Sequence, residues 1–408
     1  MERSGKVPSQ VYILGILALL MISSVSILHT NEYEFVWLRF EGLTLFQLSL
    51  FDTVLYSAYL LFGLLTGVLS DRLGRRRAFV IAGSASAAIL FTLMTRISTY
   101  SLLLILRFLQ GACSVMGWQI LMTLVLDHAD NSNRGRCMGV FGGFLALSMG
   151  MGPVVGGILA SRSVLLPYYT STALNLLAFF MAMVLLREPS HLRKKESLAE
   201  SFTILKGRPG LTVTALFNFV DRLHIGFIIF LLPLFMELTL GKGPDLRGLI
   251  LGIHALPFIL LQYPVGQWSD RVGRLQILVP GTIGYGVLLS LSGYIGAQGA
   301  GTTAVMFFLL GICSGLTGPT NGALVGDLVE RDENAVAMAL FNLAGNLGII
   351  AGPLIAGWVL DRWNPVSSFL VGGLIEIAAL LMSLPLLKRQ GLLKGMLTLR
   401  SKSSKSVR

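Results

Sequence analysis

Residues 55–75 read LYSAYLLFGLLTGVLSDRLGR, an apolar run that ends in a short charged turn. As a helix, such a run can cross most of a hydrocarbon core of roughly 30 Å. It lacks the alternation of apolar and polar residues that a membrane-spanning β-strand needs. Similar runs recur along all 408 residues, of which 54% are hydrophobic and only 13% charged. The sequence therefore predicts an all-α protein that crosses a membrane many times.

Twelve apolar runs have the length of membrane-spanning helices. They are residues 11–29, 48–69, 78–95, 100–126, 137–160, 167–186, 211–236, 248–268, 276–297, 303–326, 336–360 and 367–387. Of the 32 Lys and Arg residues, 24 fall on the side that holds both termini, 6 on the other side and 2 within spans. Because cytoplasmic segments are enriched in Lys and Arg, both termini are predicted to be cytoplasmic.

The net charge of +11 reflects this topology and does not indicate a nucleic-acid partner. The basic tail, residues 389–408, is expected to contact anionic lipid. Cys113, Cys137 and Cys313 lie in or beside apolar spans without metal-ligand spacing, so we expect packing roles and no metal. No GxxxxGK[ST] motif is present, and no cofactor is predicted.

An internal repeat divides the chain into two halves. GVLSDRLGR from Gly67 recurs as GQWSDRVGR from Gly266, about 200 residues later, and two shorter motifs recur at a similar offset. These are Gly111-Ala-Cys113-Ser114 with Gly311-Ile-Cys313-Ser314, and Gly152-Pro153 with Gly352-Pro353. The predicted organisation is a six-helix half (1–186), a cytoplasmic linker (187–210), a second six-helix half (211–388) and the tail.

The charged turn and its copy resemble the signature of the major facilitator superfamily. The matching residues are Gly67, Asp71, Arg72, Gly74, Arg75 and Arg76 in the first half and Gly266, Asp270, Arg271, Gly273 and Arg274 in the second. The resemblance implies alternating access about a site between the halves, with Asp71 latching onto the start of the eleventh span. We expect Gly67 to allow another helix to approach closely. A charge cluster that only fixes topology explains the arginines but not the glycines.

Two more motifs carry the resemblance. Arg107 and Gln110 resemble a motif of proton-coupled members, in which the arginine influences proton transfer. Such an arginine should face a cavity or a partner, or else snorkel to the interface. The fifth span resembles a motif of drug antiporters, with Ser148 in place of a glycine; its residues are Gly152, Pro153, Gly156 and Gly157. Since Gly352 and Pro353 repeat it, close helix packing with a pliable kink explains both copies.

The seventh span carries an unusual polar cluster, Asn218, Asp221, Arg222 and His224. At 1.5 Å per residue, Asp221 lies roughly 15 Å into the span, close to the bilayer midplane. Ionisable residues inside a span predict a functional site. The alternative is a structural ion pair of Asp221 with Arg222 or Arg107.

Two isolated carboxylates are further candidates for proton coupling. Asp52 lies about one turn inside the second span, where it could serve a gate or merely face the interface. Glu376 lies in the middle of the twelfth span, which the resemblance places outside the central cavity. A protonated or helix-paired carboxyl is the alternative there.

Together these features favour a monomeric secondary transporter of the plasma membrane that exports a small amphipathic or hydrophobic compound in exchange for protons. A uniporter or symporter of a metabolite, such as a sugar, an organic anion or a lipid, is the alternative. A non-transporting sensor on the same fold is a third interpretation. The first span lacks the carboxylate that some multidrug members carry. No HExxH motif or other catalytic constellation is present, so no enzymatic activity is predicted.

Overall fold

The computed structural model describes residues 7–130, 133–188, 209–329 and 333–389, and this part of the chain contains twelve long helices. They are α1 (Ser9–Ser26), α2 (Leu45–Leu73), α3 (Arg76–Met94), α4 (Tyr100–His128), α5 (Arg134–Arg162), α6 (Leu166–Leu185), α7 (Pro209–Leu238), α8 (Pro244–Val272), α9 (Arg274–Gly296), α10 (Ala300–Asp327), α11 (Asn334–Leu360) and α12 (Pro365–Arg389). All twelve are long and apolar enough to cross a membrane. The predicted all-α, twelve-helix fold is confirmed.

Helix ends lie within about four residues of the predicted span ends. Thr44 caps α2 reciprocally with Gln47, the arrangement known as a capping box. A 3₁₀ turn (Ile27–Thr30) and a π-helical turn (Tyr33–Trp37) follow α1; the first predicted span ran on to residue 29, and the sequence indicated only a loop after it. Most of the predicted linker and nearly all of the basic tail lie outside the described residues.

The repeated signature forms a tight helix reversal in each half. Gly74 ends α2 with a φ of 63°, and Gly273 separates α8 from α9 with a φ of 110°. Side chains are disfavoured at such angles, whereas glycine adopts them without steric cost. Two glycines of the signature therefore serve the turn itself.

The chain forms two compact units. The first comprises the described residues of Met1–Lys195 together with Leu232–Glu237 and Gly241–Gly252. The C-terminal end of α7 and the N-terminal end of α8, which follow each other in the chain and are called their connected ends, therefore belong to it. The second comprises the described residues of Glu196–Leu231, Leu238–Leu240 and Ile253–Arg408. Side chains such as Leu17, Leu121 and Phe141 form an apolar core in the first unit. Phe217, Leu278 and Leu324 belong to the core of the second.

Small residues bring neighbouring helices together, as packing in lipid requires. A Cβ atom at Gly152 of α5 would overlap Ser26, the last residue of α1. A Cβ atom at Gly156 would overlap the carbonyl group of Ile27, which follows α1. In the second unit, a Cβ at Gly352 of α11 would overlap the backbone of α7. The close packing predicted for the repeated glycine and proline motifs is therefore present in both units.

Candidate functional site

The second unit contains a cavity of about 220 Å³. Polar and charged side chains from α7, α8, α9, α10 and α12 form part of its wall, and apolar side chains form the rest. The polar lining residues are Asn218, Asp221, Arg222, Gln262, Thr282, Thr317, Asn321 and Glu376, and the apolar ones include Phe217, Ile225, Phe258, Leu278 and Phe341. The cavity can therefore contact both the apolar part and the polar part of an amphipathic molecule.

Three of the four polar residues predicted in the seventh span reach this cavity. Asn218, Asp221 and Arg222 share one side of α7 and line the wall. The Asn218 side chain donates a hydrogen bond of 2.6 Å to the carbonyl group of Phe341 in α11. Gly226, one turn after Arg222, lets α11 approach, since a Cβ there would lie 2.6 Å from the carbonyl oxygen of Ile349.

His224 is directed instead toward α12. Its Nε2 lies 2.8 Å from the carbonyl oxygen of Gly372, and its Nδ1 lies 3.1 Å from Oε2 of Glu376. Glu376 is only 7% exposed, yet it contributes to the cavity wall. The resemblance places the twelfth span outside the central cavity between the halves; within the second unit, Glu376 of this span lines a cavity. The two candidates His224 and Glu376 form one site.

A second buried polar cluster lies in the first unit. Asp52 of α2 and Arg107 of α4 are fully buried, and Nη2 of Arg107 lies 3.7 Å from Oδ1 of Asp52. Nδ1 of His29 lies 3.7 Å from the same oxygen and 3.5 Å from Oε1 of Glu32. Protein therefore encloses both Asp52 and Arg107, and each has a charged partner in the cluster.

Arg107 is held on its other side by a chain of polar contacts along α4. Its Nη1 donates a 3.0 Å hydrogen bond to Oε1 of Gln110, whose amide donates a 2.7 Å bond to Ser114 Oγ. The guanidinium carbon lies 4.4 Å from the centre of the Phe51 ring. Gln110 therefore orients the arginine, and the motif residues predicted from the sequence act together.

The charges in this cluster do not balance. Two carboxylates, Glu32 and Asp52, face the single guanidinium of Arg107, and one added proton would neutralise the remaining charge. The donor atoms of His29, Glu32 and Asp52 lie within 4.8 Å of one another, as in a cation site. However, the nearby guanidinium opposes a divalent metal ion. Burial raises the pKa of Glu32 to about 7, and Arg107 acts in the opposite direction.

A third cluster surrounds Arg247, near the start of α8. This arginine is fully buried; its Nη1 donates a 2.7 Å hydrogen bond to Glu34, and its Nη2 contacts Glu237 at the end of α7. Its Nε donates a 2.8 Å hydrogen bond to the carbonyl group of Lys242. All four residues belong to the first unit. The bridge ties the connected ends of α7 and α8 to the turn that follows α1.

The signature motif forms an ion pair in each unit. Arg76 contacts Asp127 at the end of α4, and Nε of Arg274 lies 3.0 Å from Asp327 at the end of α10. Asp127 and Asp327 lie 200 residues apart, so the internal repeat extends to these aspartates, and each pairs with an arginine of the signature. Arg274 also contacts Asp270. The side chain of Asp71 lies outside the described part of the structure, so its latch role stays a prediction.

Among the described residues, none approaches Gly67 as closely as the signature led us to expect. A Cβ atom at Gly67, or at its counterpart Gly266, would meet no described atom within 4 Å. The glycines that do mediate close packing lie elsewhere in the helices. Gly111 and Gly311 are examples, because added Cβ atoms would press against α2 and α8, respectively.

Sequence reasoning missed four charged residues of these clusters, Glu32, Glu34, Glu237 and Arg247. All four lie at or beyond the ends of apolar spans, where charged side chains are usually hydrated. Their only signal was proximity to the span ends. Their burial depends on the turns that follow α1 and on the packing of α7 and α8.

Comparison with known proteins identifies the family. The Major Facilitator Superfamily model matches residues 9–242 and 214–397. The chain is 22% identical to the MFS-type transporter YcaD of Escherichia fergusonii, itself uncharacterised, over 90% of this chain and 93% of the relative.

Two solved structures share the fold. The nucleoside transporter NupG, as a D323A mutant, superposes with a TM-score of 0.78 at 14% identity, covering 93% of this chain and 99% of NupG. A D-xylose-proton symporter gives a TM-score of 0.77 at 14% identity, covering 92% of this chain and 97% of the symporter. The family match and the twelve-helix fold together show that this chain belongs to the Major Facilitator Superfamily of multi-pass membrane transporters.

Proposed function

We propose that this transporter exports a small amphipathic compound in exchange for protons, as in the drug-proton antiporter branch that its motifs resemble. The observation that carries the proposal is the cavity of the second unit, which joins aromatic side chains to ionisable ones. A transporter needs both kinds of group if it is to bind an amphipathic substrate and respond to protonation.

The size of the cavity limits the substrate. Its volume of about 220 Å³ is below the range of roughly 300–1,000 Å³ that is typical of ligand pockets. Phe217, Phe258 and Phe341 offer apolar surface, whereas Gln262 and Asn321 offer amide groups. A compact molecule with one apolar part and one hydrogen-bonding part fits this wall.

The charge of the cavity favours a positively charged group. Asp221 and Glu376 carry two negative charges when ionised, and Arg222 carries one positive charge. The remaining negative charge can be neutralised by a substrate amine or by a proton, and competition between the two would couple export to proton entry. Asp221 is the leading coupling residue, with Asn218 and Arg222 as its neighbours.

A symporter of a polar metabolite is the second candidate. The hydroxyl and amide groups of Thr282, Thr317 and Asn321 on the cavity wall suit a sugar or a nucleoside. Two structures with the same fold are named as a nucleoside transporter and a D-xylose-proton symporter. The cavity wall offers no comparable support for an organic anion or a lipid as substrate. It also offers none for a uniport mechanism or for a non-transporting sensor.

A further part of the proposal concerns the transport cycle and its setting. The halves 1–186 and 211–388 would alternate about the substrate, with Asp71 of the signature releasing when the cytoplasmic gate opens. The Arg107 cluster, with Asp52 and Gln110, would supply a second protonation site. We propose a monomer in the plasma membrane with cytoplasmic termini, as the basic residues and the bacterial relatives suggest.

The test is proton release from the purified, detergent-solubilised protein when members of a library of small amines and sugars are added. Release by an amine that disappears in Asp221→Asn supports the antiporter with coupling in α7. Proton uptake on binding of a sugar favours the symporter. Asp361→Asn serves as a matched control, because it neutralises an exposed aspartate at the end of α11.

The outcomes separate the parts of the proposal. Release that survives in Asp221→Asn would contradict the role of Asp221 and transfer coupling to Glu376 or Asp52. Binding of a compound without any proton release or uptake would contradict coupling altogether. Proteoliposomes that show no counterflow of any bound compound would support the sensor instead.

A further inference from the structure

The two ring nitrogens of His224 have different partners, and these partners bear on whether the ring and Glu376 together hold an extra proton. A backbone carbonyl can only accept a hydrogen bond, so Nε2, at 2.8 Å from the carbonyl oxygen of Gly372, must carry a hydrogen. In a neutral imidazole the other nitrogen, Nδ1, then has only a lone pair. The acceptors on both sides of the ring also establish its orientation.

A carboxylate lies beside that lone pair, although the two described groups do not meet with hydrogen-bond geometry. Nδ1 lies 3.1 Å from Oε2 of Glu376, and an ionised carboxylate also has only acceptors to offer. Two acceptors at this distance repel each other unless a proton lies between them. The proximity of the two groups therefore favours one proton more than a neutral histidine and an ionised glutamate possess.

The environment makes this proton sensitive to what occupies the cavity. His224 is 1% exposed, whereas Glu376 contributes to the cavity wall. The other ionisable side chains near the pair are Asp221 and Arg222 from α7, Tyr285 from α9 and Cys313 from α10. The ring of Tyr285 lies 5.2 Å from the His224 ring, and α11 contributes no ionisable side chain.

We propose that His224 and Glu376 together bind the transported proton, and that a cationic group of the substrate displaces it. When an ammonium group of the substrate donates a hydrogen bond to Glu376, the proton on Nδ1 is lost to water. His224 becomes neutral and keeps its Nε2 hydrogen on Gly372. One positive charge enters the site and one proton leaves it, so the charge of the site is conserved. This inference rests on the proposed function and gives the proton a specific site, the His224–Glu376 pair, in the cavity that Asp221 also lines.

The first experiment needs no substrate and therefore tests the pair independently of the proposed function. Full-length protein carrying isotope-labelled histidine and glutamate is reconstituted in lipid bilayers, and solid-state NMR reports the protonation of each side chain near neutral pH. The chain has five histidines, so comparison with His224→Gln assigns the relevant signal. A His224 ring with two protons, or a protonated Glu376, supports the proposal. A neutral ring beside an ionised Glu376 overturns it.

His254 is the matched control. Its Nδ1 lies 3.1 Å from the carbonyl oxygen of Phe307, so this nitrogen should carry a hydrogen in a neutral ring. In Glu376→Gln the new amide can donate a hydrogen bond to Nδ1 of His224, which should leave that ring neutral with a hydrogen on Nε2. The variant keeps the contact without the extra proton, so it should fold. A His224 ring that stays doubly protonated in Glu376→Gln overturns the shared proton.

The second experiment measures transport of a small amine in proteoliposomes. If one proton exchanges per substrate molecule, a gradient of about one pH unit supports about tenfold accumulation. Glu376→Gln and His224→Gln should lose this accumulation, whereas His254→Gln should retain it. Accumulation that survives in both variants of the pair overturns the inference. Absence of transport in the unmodified protein contradicts the proposed function, and the NMR result then stands alone.

Discussion

Nη1 of Arg247 lies 2.7 Å from Oε1 of Glu34, although the two residues are 213 positions apart in the chain. Arg247 is fully buried, and it also contacts Glu237. Removing the arginine would leave two carboxylates side by side without a counter-charge. We expect Arg247→Gln to destabilise the protein by about 3 kcal/mol, the lower end of the range for broken buried ion pairs.

Glu34→Gln should cost much less than Arg247→Gln, because Glu237 remains available to the guanidinium. The measurement is the thermal unfolding midpoint of each purified variant in detergent. Arg162→Gln, which removes an exposed arginine at the end of α5, should leave the midpoint nearly unchanged. Equal midpoints for Arg247→Gln and Arg162→Gln would contradict a structural role for the bridge.

The second prediction concerns pH. Burial raises the pKa of Glu32 from 4.5 to about 7, so the folded state binds this proton more tightly than the unfolded state. Its contribution to stability is complete below the unfolded pKa and is lost as the pH rises through the folded pKa. The shift corresponds to roughly 3 kcal/mol. We expect the unfolding midpoint to fall as the pH rises from about 5 to about 8.

Glu32→Gln stays neutral over this range and should lose a large part of that pH dependence. Glu41→Gln, an exposed position that follows the π-helical turn, should preserve it. The readout is the slope of the unfolding midpoint against pH for the three proteins. An unchanged slope in Glu32→Gln would show that other groups titrate in its place.

A third prediction compares the ion pairs that arginines of the signature form in the two units. Arg76 and Asp127 are almost completely buried, whereas 54% of the Asp327 side chain is exposed. Burial makes an unpaired charge costly, while exposed pairs contribute at most about 1 kcal/mol. Asp127→Asn should therefore destabilise the protein by about 3 kcal/mol, and Asp327→Asn by less than about 1 kcal/mol.

Denaturation of both variants in the same detergent tests this difference, with the unmodified protein as reference. If both variants lose the same stability, the burial of the first pair has no energetic consequence. A larger loss in Asp327→Asn would mean that Arg274 depends on that aspartate more than on its second partner, Asp270.

The fold could be predicted from the sequence because hydropathy acts on whole helices. A span of about twenty apolar residues has few alternatives in lipid, so the helix ends were predicted to within about four residues. The partners of individual side chains are different. Asp52, Arg107, His224 and Glu376 were all candidates, but their arrangement in two pairs depends on how α2 faces α4 and how α7 faces α12.

Residues outside the spans were harder to interpret. Hydropathy assigned Glu32 and Glu34 to a loop, and nothing local indicated that the turns after α1 bury them partly or fully. Gly67 was expected to support close packing because of the signature, yet no described atom lies within 4 Å of a Cβ placed there. A glycine allows close approach but does not specify where a neighbour lies.

The last prediction uses two glycines of one helix. A Cβ atom at Gly156 of α5 would overlap the backbone carbonyl of Ile27, which cannot move aside as a flexible side chain can. At Gly142, earlier in α5, a Cβ would meet no described atom within 4 Å. We expect Gly156→Ala to destabilise the protein by about 1–3 kcal/mol through overpacking. Gly142→Ala should be neutral or stabilising by up to about 1 kcal/mol, since alanine favours helix over glycine. The unfolding midpoint of Gly156→Ala should therefore be lower than that of Gly142→Ala when the two are measured side by side. A Gly156→Ala protein as stable as Gly142→Ala would mean that α5 can retreat from α1 at no cost, and close packing could then not explain the glycines of this motif.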